Sequence, residues 1–219
     1  MNLEERAATH AALGDGRRLP IVDRLSLGDM TVAELAAVTE MKGNLLAHHL
    51  DVLDDAGLIE RRVSEGDHRR RYVSLRWDRL PTGSPLPIQG EGHVVFVCTH
   101  NSARSQFAAA LWNQRTGSPT SSAGSHPSAE VHPKAVLVAG EYGIDLSHAH
   151  PGGYDLLPDS PDLVVSVCDR ARETGVPDGG AHLHWSVRDP VPLGTVAAFR
   201  DSFAEIAGRI ENLARGSAG

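Results

Sequence analysis

The hydrophobic positions of residues 1–81 follow the period of helices and then that of strands. Four helices are expected, and Thr31 with Glu34 forms a capping box at the start of the third. Apolar and polar residues then alternate on both sides of a turn at residues 65–68. The expected elements are the helices Leu3–Leu13, Arg17–Leu27, Val32–Val38 and Lys42–Ala56, and the strands Leu58–Ser64 and Arg71–Leu75. Helices followed by a two-stranded wing are typical of a winged helix-turn-helix domain.

Beyond residue 92 the pattern changes to strands that alternate with helices. Strands are expected at Val94–Cys98, Thr120–Ala123, Leu163–Cys168 and Leu183–Val187, and helices at Ser102–Arg115, His132–Tyr142 and Val196–Leu213. This order predicts a parallel sheet with helices on both faces and a ligand site at the carboxyl ends of the strands. A segment rich in proline and glycine precedes it, so we predict domains at residues 1–81 and 93–219 and a linker at 82–92.

One strand of the second domain carries candidate chemistry. Val94–Cys98 runs through a short loop into a helix, a geometry in which backbone amides and the helix N-terminus bind an anion. Those groups would stabilise a thiolate at Cys98, to which Ser105 can donate a hydrogen bond. Arg104 offers a planar fork for two oxygens of an oxyanion, and Asn101 tolerates the left-handed backbone of a tight loop. The residues predicted to hold the oxyanion are Thr99, His100, Asn101, Ser102, Ala103 and Arg104.

Composition narrows the class of protein. The net charge of −7 argues against a general nucleic-acid-coating protein, and the only two cysteines, Cys98 and Cys168, fit a reducing cytoplasm. No apolar run approaches the length of a membrane span, so we expect a cytoplasmic protein without a membrane partner. No group of histidines has a zinc-like spacing, and we predict no metal site.

The second domain resembles the arsenate reductase branch of the low-molecular-weight tyrosine phosphatase fold. The likeness rests on the loop Cys98-Thr-His-Asn-Ser-Ala-Arg-Ser-Gln106, on Ser122-Ala-Gly-Ser-His-Pro127, and on His184-Trp185-x-x-x-Asp189-Pro190. The first domain resembles ArsR-type winged helices over Leu45–Ile59. The resemblance implies a mainly α winged helix-turn-helix domain fused to an α/β domain with a four-stranded parallel sheet.

The resemblance also implies roles for side chains. Cys98 would attack arsenate, Ser105 would stabilise the thiolate, and Asp189 would protonate the leaving oxygen. Where the phosphatase branch places aromatic residues after this Asp-Pro pair, the chain has Val191 and Pro192. That departure favours a small inorganic oxyanion, with phosphate or sulfate as a competitor, over an aryl phosphate.

The source of electrons stays open at this point. In relatives that use thioredoxin, a second cysteine attacks the first, and a third cysteine resolves the disulfide that the two form. Cys168 lies where the second cysteine would be, but residues 173–177, where the third would be, contain no cysteine. In one route an external thiol, such as mycothiol with mycoredoxin, completes the reaction. In the other, Cys98 and Cys168 form a disulfide that a redoxin such as thioredoxin opens. Cys168 can equally be a buried structural residue, and no bound cofactor is expected.

By the same resemblance the first domain would bind double-stranded DNA. The start of the fourth helix would enter the major groove and the wing would contact phosphates. The candidates are Lys42, Asn44, His48, His49, Arg61, Arg62, Arg69, Arg70 and Arg71. We expect a homodimer, because a palindromic operator requires two-fold symmetry. A dimerisation or docking module is the alternative, and the absence of cysteine from this domain excludes a trithiolate arsenite site.

Three functions are compatible with these features. The first is a thiol-dependent arsenate reductase fused to a transcriptional regulator. The second is a low-molecular-weight protein-tyrosine phosphatase with a regulatory domain. The third is a transcription factor whose catalytic fold now only senses an oxyanion.

Overall fold

The computed structural model describes residues 2–80 and 92–215. The described residues form two compact units. Apart from Gly92, the predicted linker at 82–92 lies outside the described residues, and the predicted domain boundary stays a prediction. None of the described helices is long and apolar enough to cross a membrane.

The N-terminal unit has the predicted winged helix-turn-helix elements. They are the helices α1 (Leu3–Leu13), α2 (Leu19–Leu27), α3 (Val32–Thr39) and α4 (Gly43–Asp55), and the strands β1 (Met30–Thr31), β2 (Ile59–Val63) and β3 (Arg71–Leu75). The strands form an antiparallel sheet in the order β1-β3-β2. β1 was not predicted, because its two residues form a strand only by pairing with the distant β3.

Local signals fix the ends of these helices. Glu34 N–H donates to Thr31 Oγ1 at 3.2 Å and Thr31 N–H donates to Glu34 Oε2 at 2.8 Å, which confirms the capping box. α4 buries Leu46, Leu50 and Leu53 in the core. Leu45 is 37 % exposed because it lies one residue before the buried stripe.

The C-terminal unit is the predicted α/β domain with a four-stranded parallel sheet, in the order β5-β4-β6-β7. Its strands are β4 (Val94–Cys98), β5 (Thr120–Gly124), β6 (Leu163–Ser166) and β7 (Ala181–His184), and its helices are α5 (Arg104–Thr116), α6 (Pro133–Glu141), α7 (Asp169–Thr174) and α8 (Val196–Arg215). A 3-10 turn covers Tyr154–Leu156. α7 was not predicted.

The two faces of this sheet are covered differently. Val94 and Phe96 belong to the main core, to which α5, α6 and α8 contribute, and Phe107 of α5 meets Phe203 of α8 edge to face at 5.1 Å. Val95 and Val97 belong to a smaller cluster on the opposite face. In the described chain, that cluster is completed by partly buried residues of a 3-10 turn and loops: Tyr154, Leu157 and Val176. β4 is therefore buried along its whole length, and its carboxyl end leads directly into the predicted anion loop.

Candidate active site

The loop between β4 and α5 places the Cys98 sulfur among hydrogen-bond donors. Cys98 Sγ lies 3.1 Å from the backbone nitrogen of Asn101, which donates to it, and 3.1 Å from Ser105 Oγ. The side chain of Cys98 is buried, and Ser105 on the first turn of α5 is fully buried. The loop thus brings together the predicted nucleophile and the hydroxyl predicted to support its thiolate.

Asn101 holds this loop in shape. Its φ of 49° is left-handed, as the sequence predicted, and its side chain is fully buried. The side-chain amide donates to Ser105 Oγ at 2.8 Å and to Ser122 Oγ at 2.9 Å. The side-chain oxygen accepts from Gly152 N–H at 2.8 Å and from Gln106 Nε2 at 3.1 Å. Asn101 therefore connects the nucleophile's partner Ser105 to the end of β5 and to the loop at residue 152.

Arg104 is a buried cation at the start of α5. Its Nη1 donates to the Val187 carbonyl oxygen at 2.8 Å, and its Nη2 lies 2.9 Å from Asp189 Oδ2. Burial alone would lower the pKa of the Arg104 guanidinium, but its electrostatic interactions with Cys168, Asp189 and Cys98 hold the pKa above its ordinary value. Asp189 lies 85 positions after Arg104 in the sequence. The fold nevertheless brings this predicted proton donor to the predicted anion-binding arginine.

The second cysteine also lies at this edge of the sheet. Cys168 is buried, follows β6, and precedes the first residue of α7. Its sulfur lies 3.1 Å from the hydroxyl of Thr99, a residue of the anion loop. Burial and the charges of Cys98 and Cys168 raise the pKa of Tyr154 to about 12, so its phenol stays protonated. Its hydroxyl donates to the Gly175 carbonyl oxygen at 3.5 Å.

The remaining predicted oxyanion residues form the rim of the loop. His100 is exposed, and its Nδ1 lies 3.1 Å from the His126 carbonyl oxygen, so the ring is held by the loop after β5. The Ser102 carbonyl accepts from His132 N–H at 2.8 Å, and Ala103 precedes α5. The carbonyls of Thr99, His100 and Ser102 thus accept hydrogen bonds from the segment that follows β5.

Comparison with known proteins fits this geometry. A family model described as low molecular weight phosphotyrosine protein phosphatase matches residues 93–217. The chain belongs to this family. A second model, for the arsR family of bacterial regulatory proteins, matches residues 15–61, so an ArsR-type helix-turn-helix domain is fused to the phosphatase-family unit.

Arsenate reductases are among the curated proteins similar to this chain. The chain is 32% identical to an arsenate reductase of Bacillus cereus over 108 residues, which are 47% of this chain and 80% of that protein. It is 34% identical to an arsenate reductase of Brevibacillus brevis over 109 residues, again 47% of this chain and 80% of that protein. A solved arsenate reductase from Archaeoglobus fulgidus is 29% identical, covers 55% of this chain and 97% of its own, and has a TM-score of 0.49.

A buried polar network in the phosphatase-family unit was not predicted. His184 Nε2 lies 3.2 Å from Asp169 Oδ1, and His184 Nδ1 lies 2.9 Å from Ser166 Oγ. Burial opposes ionisation of Asp169, yet hydrogen bonds, among them that from His184, lower the pKa of this carboxyl below its usual range. The network ties the residue after Cys168 to β7. The only sequence signal for this network was the His184-Trp185 pair. That pair indicated the family resemblance and did not predict the contact between His184 and Asp169.

The ArsR-type unit exposes most of the predicted DNA-binding residues. Lys42, Asn44 and His48 are exposed at the start of α4, and Arg69, Arg70 and Arg71 are exposed at the wing. Arg62 lies 2.5 Å from Glu60. The prediction for His49 was wrong: its side chain is 4 % exposed, so it cannot reach a base edge. Adjacent residues on a helix point about 100° apart, which buries His49 where His48 is exposed.

Arg61 is engaged by acidic residues of α4. Its Nη2 lies 2.6 Å from Asp51 Oδ1, and its Nε lies 3.4 Å from Asp54 Oδ2. These pairs would compete with a DNA phosphate for the guanidinium. We therefore expect Arg61 to contribute less to DNA affinity than Arg71 of the same wing.

Proposed function

We propose that this protein is a thiol-dependent arsenate reductase joined to a DNA-binding regulator of the ArsR type. The observation that carries the proposal is the Cys98 sulfur within 3.1 Å of both the Asn101 amide and Ser105 Oγ, in a loop that ends at the buried Arg104. The arsenate reductases at 32% and 34% identity support the choice of substrate. So does Val191, the non-aromatic residue that follows Asp189-Pro190.

In the first step the Cys98 thiolate attacks arsenic. A sulfur–arsenic bond forms, an arsenic–oxygen bond breaks, and Asp189 supplies the proton that lets the oxygen leave as water. Arg104 and the loop amides hold the remaining oxygens. In the unliganded arrangement Asp189 Oδ2 lies 2.9 Å from Arg104 Nη2. Arsenate must therefore take over the Arg104 fork from Asp189, which releases that carboxyl toward the leaving oxygen.

In the second step an external thiol delivers the electrons. Its thiolate attacks the Cys98 sulfur, the sulfur–arsenic bond breaks, and arsenic leaves with the electron pair as arsenite. The mixed disulfide on Cys98 is then opened by a second thiol. For the dihydrogen arsenate monoanion, the balance is one arsenate, two thiols and one proton to one uncharged arsenous acid, one disulfide and one water.

Cys168 offers the competing route. Its sulfur contacts Thr99 of the anion loop, so it is a candidate to attack Cys98 in place of the external thiol. We favour the external thiol because residues 173–177 contain no third cysteine to resolve a Cys98–Cys168 disulfide. Cys168→Ser should keep turnover with a low-molecular-weight thiol; complete loss of that turnover would favour the internal disulfide.

The regulatory half of the proposal rests on the ArsR-type unit. Its exposed α4 start and basic wing have the arrangement in which a helix reads the major groove and the wing contacts phosphates. We propose that this unit binds an operator as a homodimer. Binding to a palindromic duplex by a species of twice the chain mass, measured by light scattering, would support it; a monomer that binds no duplex would contradict it.

Protein-tyrosine phosphatase activity is the second candidate. The thiolate loop, Arg104 and Asp189 would serve phosphate-monoester hydrolysis as well as arsenate reduction, and the matching family is described as a phosphatase. The two candidates differ in the acceptor of the second step, which is water in a phosphatase and a thiol in a reductase. A non-catalytic oxyanion sensor would bind arsenate without either step.

One experiment separates these candidates. Arsenite production from arsenate is measured with mycothiol plus mycoredoxin, a glutaredoxin system and thioredoxin in turn, and phosphate release from an aryl phosphate is measured in parallel. Cys98→Ser is the inactive control, and Cys168→Ser is its matched partner. Turnover with a thiol system, lost only in Cys98→Ser, supports the reductase. Aryl phosphate hydrolysis without arsenite production would establish the phosphatase. Binding of arsenate without either reaction would establish the oxyanion sensor.

A further inference from the structure

His184 and Asp169 are a buried pair of titratable side chains that the chemistry described so far does not use. Each side chain is only 3 % exposed, and His184 Nε2 lies 3.2 Å from Asp169 Oδ1. On the other side of the ring, His184 Nδ1 lies 2.9 Å from the hydroxyl of Ser166 and 3.2 Å from the Ser166 carbonyl oxygen. Both nitrogens of the imidazole therefore have partners within the protein, and the orientation of the ring is fixed.

The pair joins the carboxyl ends of two neighbouring strands to α7. Ser166 and His184 are partners in the register of β6 and β7 and are the last residues of those strands. Asp169 is the first residue of α7. Its carboxylate also accepts a hydrogen bond from the side chain of Ser186. One carboxylate thus holds two alternate residues of the segment at which the chain leaves β7.

The residues between these contacts are anchored by the core. Trp185 and Val187 are buried members of the main cluster, and the Trp185 ring lies 5.9 Å from that of Phe96 on β4, measured between centroids. The Trp185 N–H donates to the Ser166 carbonyl oxygen at 2.8 Å. The segment is therefore held by apolar packing at two residues and by the carboxylate of Asp169 at the residues beside them.

This segment leads directly to the two groups that bind Arg104. The residue after Ser186 is Val187, whose carbonyl oxygen accepts from Arg104 Nη1 at 2.8 Å. Two residues further on, Asp189 Oδ2 lies 2.9 Å from Arg104 Nη2. A shift of the segment would displace the proposed proton donor from the arginine. Misplacement of a reacting group by about 1 Å can lower a rate about 100-fold.

Stability alone gives little reason for a charged carboxylate at this depth. A buried ion pair often adds no more stability than apolar side chains of the same volume, because desolvation of the charges offsets their attraction. Hydrogen bonds nevertheless keep the pKa of Asp169 below its usual range, so the carboxylate stays ionised and accepts from its neighbours. Such bonds are directional, and apolar contacts are not, so they can fix the path of the chain beyond β7.

We propose that Asp169 and His184 are positioning residues for the acid loop, defined as residues 185–189, and that they hold this loop so that Asp189 meets Arg104. The inference rests on the proposed function, in which Asp189 donates a proton to the leaving oxygen. Neither member of the pair touches the oxyanion or exchanges a proton with it. Both act through the place at which they hold Asp189.

Two substitutions of His184 separate the contacts of its ring. Asparagine has its side-chain nitrogen as many bonds from Cβ as Nδ1 is, so His184→Asn can keep a donor to Ser166 but loses the contact with Asp169. Glutamine has its nitrogen as many bonds from Cβ as Nε2 is, so His184→Gln can keep a donor to Asp169. His182→Asn, exposed on the same strand, is the matched control. Urea unfolding of each variant confirms that it is folded.

The kinetic test is a double-mutant cycle with Asp189. His184→Asn should lower kcat/KM for arsenate about 10- to 100-fold, whereas His184→Gln and His182→Asn should stay within about 3-fold of the wild type. In an Asp189→Asn background, His184→Asn should cost no more than about 3-fold, because the proton donor that it misplaces is already absent. General loss of structure would instead cost the same in both backgrounds.

Two further readouts do not depend on turnover. Backbone amides of the acid loop should exchange with solvent at least about 10-fold faster in His184→Asn than in the wild type, the factor for one hydrogen bond to a charged group. His184→Gln should keep the wild-type exchange rate. Alkylation of Cys98 by iodoacetamide, measured in a Cys168→Ser background, should change less than about 2-fold in either variant, because the donors to that sulfur come from Asn101 and Ser105.

The outcomes distinguish this inference from the proposed function. If the wild type neither reduces arsenate nor hydrolyses an aryl phosphate, the proposed function fails, and hydrogen exchange alone decides whether the pair holds the acid loop. Wild-type exchange and turnover in His184→Asn would overturn the positioning role. So would equal losses in His184→Asn and His184→Gln, or the same loss with and without Asp189. A loss confined to His184→Asn, and present only with Asp189 in place, is the result expected.

Discussion

Asn101 is the side chain whose loss should damage the site most without touching the nucleophile. Asn101→Ala removes four side-chain hydrogen bonds, to Ser105, Ser122, Gly152 and Gln106, from a fully buried position. At about 1 kcal/mol for each bond, the loss is about 4 kcal/mol. Alanine at the observed φ of 49° adds strain of about 1–2 kcal/mol, because its Cβ disfavours the left-handed region. The expected total of about 5–6 kcal/mol is a large part of the stability of an ordinary domain.

Asn101→Gly separates the two contributions. Glycine loses the same four hydrogen bonds but avoids the left-handed strain of about 1–2 kcal/mol, at an extra cost in chain entropy of about 0.5–1 kcal/mol. We therefore expect Asn101→Gly to be more stable than Asn101→Ala by about 0.5–1 kcal/mol. Both variants should lose at least about 10-fold in arsenite production, since the donors to the Cys98 sulfur are no longer fixed.

The assay is urea unfolding followed by tryptophan fluorescence in a Trp77→Phe background. The two tryptophans that remain, Trp112 and Trp185, are both buried in the C-terminal unit, so the transition reports that unit alone. Asn113→Ala, exposed on α5, is the matched control and should stay within about 0.5 kcal/mol of the background. A free energy of unfolding for Asn101→Ala within about 1 kcal/mol of the background would refute the reasoning.

Three further outcomes are expected. Asp189→Asn should lower kcat about 100-fold or more, because it removes the proton donor. It should also strengthen competitive inhibition by phosphate, because Arg104 loses its carboxylate partner. Unchanged inhibition would contradict the proposal that the oxyanion replaces Asp189 at Arg104. Burial holds the pKa of His49 below its ordinary 6.5 in the folded protein. As the pH falls, the imidazole is therefore protonated in the unfolded chain before it is protonated in the folded one. The ArsR-type unit should thus lose stability as the pH falls through about 6.5. Unfolding of His49→Leu should lack that part of the pH dependence, and an unaltered profile would exclude the histidine as its source. Arg71→Ala should weaken binding to all duplexes and reduce the salt slope by about 1, whereas Asn44→Ala should relax sequence preference, and equal effects of the two would argue against a wing–helix division of labour.

The sequence predicted those parts of the fold that local rules determine. The Thr31–Glu34 capping box and the apolar run before Cys98 each act within a few residues, and both are confirmed. α7 escaped prediction because it has six residues and no side-chain cap on Cys168. The exposure of Leu45 and the burial of His49 depend on how α4 is rotated about its axis against the core. The spacing of apolar residues alone leaves that rotation uncertain by about one residue.

The candidate site divides in the same way. The roles of Cys98, Ser105 and Arg104 could be predicted because the three residues lie within one short stretch of sequence, residues 98–105. The link from Asn101 to Gly152 crosses 51 positions, and that from His184 to Asp169 joins the end of β7 to the start of α7. Neither has a pattern in sequence, because each depends on which loops the parallel sheet brings to one edge.

The bond from Arg104 to the Val187 carbonyl has a consequence for the order in which the enzyme is made. The two residues are separated by 83 positions, so during synthesis Arg104 leaves the ribosome long before its partner exists. The parallel sheet also needs β6, from residue 163 on, before β4 has both neighbours. Until that late segment arrives, the nascent chain has a cysteine but no assembled anion cradle around it. The anion cradle around Cys98 is thus completed only after Val187 has been synthesised.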